Sequence, residues 1–187
     1  MNFVGIDGIL VQFSDEIREN ANSAALAFRH EVEQKNQSSI IESANSLTAA
    51  YFRVDTKIVP LDSILNFFNE MLREKNWYTS KLPKDRKLFK IPCVFGTELA
   101  PKFEKVIKLA GISRSQAILE FTTTRTRVMT IGFSPGQPYA GLLSKKWDLP
   151  RLAEVSKSVP KSALVCAIRQ LIIFSNSTPT GWHHIGQ

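Results

Sequence analysis

The chain has 187 residues, 43% hydrophobic and 22% charged, the balance of a globular protein with room for one large or two small domains. No apolar run approaches the roughly 20 residues that span a bilayer, so a membrane is not an expected partner. The formal net charge of +7 sits entirely in one half: residues 1–97 carry 12 Lys and Arg against 12 Asp and Glu, and residues 98–187 carry 12 against 5.

This asymmetry favours an anionic ligand or an acidic partner for the C-terminal half, with a solvated basic surface as the plainer alternative. The basic residues are scattered and no nucleic-acid-binding motif occurs, so nucleic acid is not expected either. Residues 1–13 lack a basic segment followed by an apolar one, so no signal peptide is expected and the expected location is cytoplasmic. Cys93 and Cys166 stand singly in apolar surroundings. They read as buried, reduced thiols without metal-ligand spacing, and no metal is expected.

In chain order, Ile9, Val11 and Phe13 alternate with polar or small neighbours and predict a half-buried strand. Ser14 or Asp15 is the expected cap of a helix carrying Ile17, Ala21, Ala24, Ala25, Phe28 and Val32 on one face. Residues 40–44 and 47–54 read as strands, with Asn45-Ser46 at the turn. Asp62 or Ser63 is the expected cap of a second helix, with Ile64, Phe67, Phe68, Met71 and Leu72 inward. The order β-α-β-β-α is that of a ferredoxin-like α/β sandwich.

Residues 73–88 are polar and charged and mark a domain boundary, giving a first domain over 1–85 and a second over 86–187. Residues 88–95 read as an edge strand interrupted by Pro92. A short helix follows over 100–110, closed by Gly111 in a left-handed C-terminal cap. Ser113 and Gln116 form a capping box that opens another helix. Residues 125–131, 163–168 and 171–174 read as strands. The second domain is therefore mostly β, read as a barrel, and the fold class is α+β.

Two aromatic-flanked turns stand out in this half: Gly132-Phe133-Ser134-Pro135-Gly136-Gln137-Pro138-Tyr139, and Pro179-Thr180-Gly181-Trp182 followed by His183-His184-Ile185-Gly186. Pro135 presets the second position of a type II turn and Gly136 accepts the positive φ of the third. The loop is either an amide cradle for a carboxylate or phosphate, or a tightly packed corner. Arg151 is either a fork for a substrate carboxylate or a surface arginine. His183 and His184, being adjacent, point to opposite faces of an extended strand and do not share one site. Trp182 reads as a packing anchor. No nucleophile triad and no phosphate-binding Walker motif occurs. The Gly132–Gly136 letters match a nucleophile elbow, but Pro135 argues against the helix that an elbow requires.

Taken in order, these fragments carry a resemblance. They are Ile91-Pro92-Cys93-Val94-Phe95-Gly96, Ala110-Gly111-Ile112-Ser113, Ile131 to Gly136, Leu149-Pro150-Arg151, Val159-Pro160 and Pro179 to Gly186. The set resembles the family of allophanate hydrolase subunit 1, the sporulation-kinase inhibitor KipI and the B subunit of bacterial ATP-dependent 5-oxoprolinase. Gly8 to Phe13 and Ser46 to Asp55 extend the resemblance over nearly the whole chain. It implies a small α/β domain followed by a cyclophilin-like β-barrel, and a second barrel subunit (subunit 2, C-type) as partner. It also implies ATP use at the level of the complex, an ATP-dependent amide or lactam hydrolase inactive as this subunit alone. The kinase-inhibitor branch implies a sensor histidine kinase as partner instead. The residues expected to line a substrate site are Gly132, Phe133, Pro135, Gly136, Tyr139, Arg151, Gly181 and Trp182; catalytic residues are not assigned.

The chain also departs from the family pattern. Phe121 stands where the family has His, Thr126 where it has Tyr, Gln137 where it has Phe, and Val155-Ser156 where it has Pro-Arg. Lys161-Ser162-Ala163 replaces Ala-Gly-Ser, and Thr180 replaces Gly. Phe121 exchanges no protons, and Ser162 and Thr180 tolerate a glycine's positive φ poorly. The sequence runs to Gln187 where the family motif continues Arg-Thr, so the barrel is expected to be open at that edge. A partner, self-association, or a degenerate copy with weakened activity would each account for it.

Overall fold

The computed structural model describes residues Met1–Gln187 and divides into two compact units, Met1–Lys87 and Leu88–Gln187. The first unit runs β1 (Asn2–Val4), β2 (Gly8–Gln12), α1 (Glu19–Gln34), β3 (Ile40–Ser46), β4 (Ala49–Val54) and α2 (Leu61–Arg73). Its sheet has the order β1-β2-β4-β3, and every neighbouring pair is antiparallel. Apolar residues at helical spacing on α1 (Ala21, Ala24, Ala25, Phe28, Val32) meet Ile9, Val11, Phe52 and Val54 of the sheet and Ile64, Phe68 and Met71 of α2. The aromatic centre is Phe28, whose ring touches those of Phe13, Phe52, Phe68 and Trp77.

The second unit runs α3 (Phe103–Ala110), α4 (Arg114–Thr123), β5 (Arg127–Gly132), β6 (Gln137–Gly141), β7 (Ser156–Val159), β8 (Leu164–Ala167), β9 (Gln170–Ile173), β10 (Thr178–Thr180) and β11 (His183–Gly186). Five strands form one antiparallel sheet in the order β11-β8-β9-β6-β5, and β7 pairs with β10. One sheet face buries Cys166, Leu171 and Ile185 against Phe103, Val106 and Ile107 of α3, with Leu143, Trp147 and Leu149. The other buries Val165, Ala167, Ile172 and Trp182 with Val159 of β7 and half-buried Tyr139. Two local expectations rest on hydrogen-bond chemistry and hold: Gly111 takes φ +66 as the α3 cap, and Ser113 and Gln116 close a reciprocal capping box on α4.

Several expectations are corrected. Neither Ser14 nor Asp15 caps α1. The helix starts four residues later at Glu19, and Ser14 Oγ accepts from Glu16 N in a local turn instead. Pro60 takes the N-cap position of α2, leaving Asp62 in the first turn, where its charge favours the helix dipole. The β3–β4 turn lies at Leu47-Thr48, two residues beyond Asn45-Ser46. Leu47 adopts φ +47, and its carbonyl accepts from the buried Asn22 amide of α1. In the first unit no strand follows α2; the sheet edge beyond β2 is filled by the N-terminal β1 instead. Residues 88–95 form no strand beyond a bridge of Phe95 to Gly186 and the Val94–Gln187 backbone pair, because Pro92 withholds a donor. The strand pairing closes no barrel: β5 ends the five-stranded sheet, and β7 and β10 pair apart from it. Cys166 is fully buried, but Cys93 is only half-buried.

Of the two glycine-replacing residues, Ser162 adopts φ +68, and Thr180 sits in β10 without positive φ. Left-handed backbone costs a side-chain-bearing residue about 1–2 kcal/mol. Glycine gives back part of that through unfolded-chain entropy. Ser162→Gly is therefore expected to stabilise the protein by about 0.5–1 kcal/mol, read from urea denaturation midpoints; a loss of stability would show that the serine is held there by contacts.

Candidate functional site

The type II turn forms as its residues dictate: Gln137 N donates to Ser134 O at 3.0 Å and Gly136 takes φ +81. This consumes the amide at the turn's end, which therefore does not point at a ligand. Pro135 and Gly136 are exposed and tied down by Ser175, whose Oγ donates to Pro135 O at 3.3 Å. The Phe133 side chain is 77% exposed and lies outside the site, while its carbonyl accepts from Tyr139 Oη at 2.5 Å. A Cβ on Gly132 would lie 3.0 Å from the Tyr139 ring, so this glycine lets the tyrosine fold back over the strand.

Tyr139 meets Trp182 edge to face, with ring centroids 5.8 Å apart. Burial raises the Tyr139 pKa, opposed by the positive charge of Arg151. Arg151 lies against Gly181: a Cβ there would stand 3.4 Å from the arginine Nε and 3.5 Å from Nη2. The backbone around Arg151 is fixed on both sides. Leu152 N donates to Gly181 O at 2.6 Å, and the buried His183 ring bonds Pro150 O through Nε2 at 2.9 Å. Further back, Ile168 N donates to Leu149 O and Arg169 N to Trp147 O, at 2.8 and 3.0 Å. The side chain itself is exposed and makes no ion pair with a carboxylate. Strands β5 to β11 contain no Asp or Glu, so nothing on the sheet neutralises it.

The structure thus brings together Gly132, Tyr139, Arg151, Gly181 and Trp182, and leaves Phe133, Pro135 and Gly136 as the outer turn. Phe121 lies elsewhere: it stacks between Phe95 and Trp147 on the α3–α4 side of the sheet. The loss of histidine at that position therefore leaves this cluster's chemistry untouched. The two histidines diverge as alternation requires, His183 opposite Cys166 and His184 opposite Val165. Burial lowers the His184 pKa, against smaller opposing effects of Gly186 and Gln187, so the ring is neutral at pH 7. Burial pushes the Cys166 thiol up to about 12, which leaves it un-ionised and inert. No group of three or more His, Cys, Asp and Glu is placed to hold a metal ion. No helix is long and apolar enough to cross a membrane.

Residues 1–187 match the family described as carboxyltransferase domain, subdomain C and D. The chain belongs to this family. Two relatives are named as the B subunit of 5-oxoprolinase. This family member is 28% identical to the Bacillus subtilis protein over 192 residues, covering 98% of the chain and 80% of the relative. It is 29% identical to the Escherichia coli O157:H7 protein over 116 residues, covering 61% of the chain and 53% of the relative. Among solved structures, TTHA0988 superposes with a TM-score of 0.75 at 23% identity, over 96% of this chain and 34% of that one. The urea amidolyase of Kluyveromyces lactis superposes with a TM-score of 0.74 at 15% identity, over 97% of this chain and 12% of that one. The chain thus spans about a third of TTHA0988, and these two likenesses are of fold.

Sequence reasoning misses that Gln137 and Gln170 are buried in this unit. In the sequence Gln137 stands out only as a departure from the family motif, and Gln170 is one polar letter between two strands. A polar residue at an inward position of an alternating strand is the available signal.

Proposed function

We propose that this chain is the B-type (subunit 1) component of a heteromeric ATP-dependent amide or lactam hydrolase, 5-oxoprolinase-like or allophanate hydrolase-like, inactive alone. The observation that carries this reading is the unpaired Arg151 fork. It is held rigidly at its backbone against Gly181 and beside the Tyr139–Trp182 pair. A planar guanidinium without an acidic partner, on an acid-free sheet, suits the carboxylate of a small substrate in bidentate fashion. Tyr139 and Trp182 supply the apolar wall that such a ligand's ring or chain requires. The names of the relatives support lactam chemistry.

The residues of this chain do not form a triphosphate site. The amide that closes the Gly132–Tyr139 turn is bonded within the turn, and Arg151 is the cluster's single cation. ATP belongs to the assembly, and no step through it is assigned to this chain. The assembly needs a docking edge, and β5 offers one: it has no partner strand on its outer side, and Val128, Ile131 and Phe133 are 49%, 67% and 77% exposed. A second barrel subunit on that edge would complete the sheet in the cyclophilin-like manner that the family implies. The first unit, with three of its four strands in ferredoxin-like order, fits the same description. The edge equally suits self-association or a KipI-like regulator docking on a sensor histidine kinase.

The test is reconstitution. The chain, co-purified with a candidate C-type barrel subunit, is expected to hydrolyse ATP only when L-5-oxoproline is present, and neither subunit to do so alone. Inhibition of a sensor kinase by a complex without turnover would replace the enzyme reading with the regulatory one.

A further inference from the structure

The inward face of α1 is accounted for by Ala21, Ala24, Ala25, Phe28 and Val32. The same helix carries a second stripe. Ser23, Leu26, Ala27 and His30 follow one another at spacings of three and four and lie on the side turned away from Phe28. Leu26 and Ala27 are apolar and half-buried on this outer side. The segment after α2, residues 80–85, runs opposite them. The two walls leave a cleft of about 610 Å³ between them, wholly inside the first unit.

The second wall is held by the protein itself. Trp77 is buried with its ring edge-on to Phe28, and its Nε1 donates to Met71 O at 3.1 Å. Ser80 N then donates to Trp77 O at 3.0 Å, and Arg86 Nε closes a turn on Pro83 O at 3.0 Å. The charges of the cleft divide into paired and free. Glu31 pairs with Lys75, and Glu33 pairs with Arg29, whose Nε also donates to Ser43 Oγ at 2.9 Å. Lys81 and Lys84 line the opposite wall, are exposed and make no ion pair; Asp85 is the one lining carboxylate left unpaired. The free charge of the cleft is therefore positive.

We propose that this cleft binds a small organic anion with an apolar body. The body lies over Leu26, Ala27 and Leu82, and the anionic head group takes the ammonium groups of Lys81 and Lys84, with the His30 ring as a further donor. Volume and lining suit a small molecule: an apolar floor with a few polar groups at its rim. A cationic ligand would face the two free lysines. An extended polyanion finds no continuous basic track, because Glu31, Glu33 and Asp85 interrupt it. The site uses no residue of the second unit and stands apart from the function proposed above.

The test uses the full chain and two fluorescent probes, anilinonaphthalene sulfonate and N-phenylnaphthylamine, which share an aromatic body and differ in the sulfonate. The wild type is expected to bind one sulfonate probe per chain, at least about tenfold more tightly than the neutral one at low salt. Salt at about 0.5 M should remove most of that preference. Lys81→Met combined with Lys84→Met is expected to bring the two affinities within about twofold, by weakening the sulfonate probe alone. Leu26→Gln keeps a good helix former and should weaken both probes about threefold to tenfold. Should that change loosen α1, Leu82→Ser reads the same apolar floor from the other wall. Ile6→Ser, at an apolar side chain that is 98% exposed outside the cleft, should alter neither affinity. Absence of saturable binding, equal affinity for the two probes, or an undiminished preference in the double lysine variant overturns the site. Loss of binding in Ile6→Ser overturns it as well, by placing the probe elsewhere. The measurement needs no partner subunit, so its failure leaves the reading of the second unit standing.

Discussion

Phe28→Ala is expected to lower the stability of the first unit by about 3–5 kcal/mol, the range for deleting a fully buried phenylalanine. The argument is geometric. Phe28 is fully buried on the inward face of α1, and its ring lies 5.0 Å from Trp77, 5.7 Å from Phe13, 6.0 Å from Phe52 and 6.1 Å from Phe68, centroid to centroid. Those partners come from the sheet, from α2 and from the segment after α2, so the hole cannot close by moving one neighbour. Edge-to-face pairing adds about 0.5–1.5 kcal/mol per pair beyond buried area, which places the value toward the upper end. Hydrogen exchange reads the result residue by residue: protection of α1 and β4 amides should fall by about two to four powers of ten. Phe28→Leu should recover more than half of the loss. A change below about 1 kcal/mol would mean that the aromatic cluster is not the centre of this unit.

What the sequence made legible follows from the range of the interactions involved. The α1 and α2 core positions, the Gly111 cap, the Ser113–Gln116 box and the Ser134–Gln137 turn are set within a few residues, and spacing alone identifies them. The N-termini of α1 and α2 depart from expectation because Ser14 bonds Glu16 N in a local turn and Pro60 takes the N-cap position ahead of Asp62. The strands β6, β10 and β11 carry Pro, Gly and His, which local propensity disfavours; they exist because long-range pairing with β9, β7 and β8 holds them. The site divides in the same way. The turn residues are legible, but their amide is occupied. Arg151 gains its significance from its place against Gly181 and from the His183 bond to the adjacent Pro150 carbonyl, both partners some thirty residues away in sequence. The hairpin that braces it, Ile168-Arg169, carries positive φ at both positions without Gly or Asn, which no turn rule would have selected.

Arg151→Met is expected to reduce kcat/KM of the reconstituted complex for a carboxylate-bearing lactam by about 10²–10³-fold, about 3–4 kcal/mol, the loss of two charge-assisted hydrogen bonds. Stability should change by no more than about 0.5 kcal/mol, because the guanidinium is exposed and makes no ion pair whose loss would leave a buried charge. That combination separates a binding role from a structural one: an arginine that held the Gly181 corner would lower the melting temperature along with activity. The corner is instead held by main-chain bonds that survive the substitution, Leu152 N to Gly181 O and the His183 ring to Pro150 O. Arg151→Lys keeps the charge but loses the planar fork, and should sit between wild type and Met, about tenfold down and mostly in KM. If Met and Lys are both as active as wild type, the carboxylate is bound elsewhere. The cluster of Tyr139, Trp182 and Gly181 would then be a packed corner of the sheet, which the aromatic contact and the Gly132 backbone fit explain without a ligand.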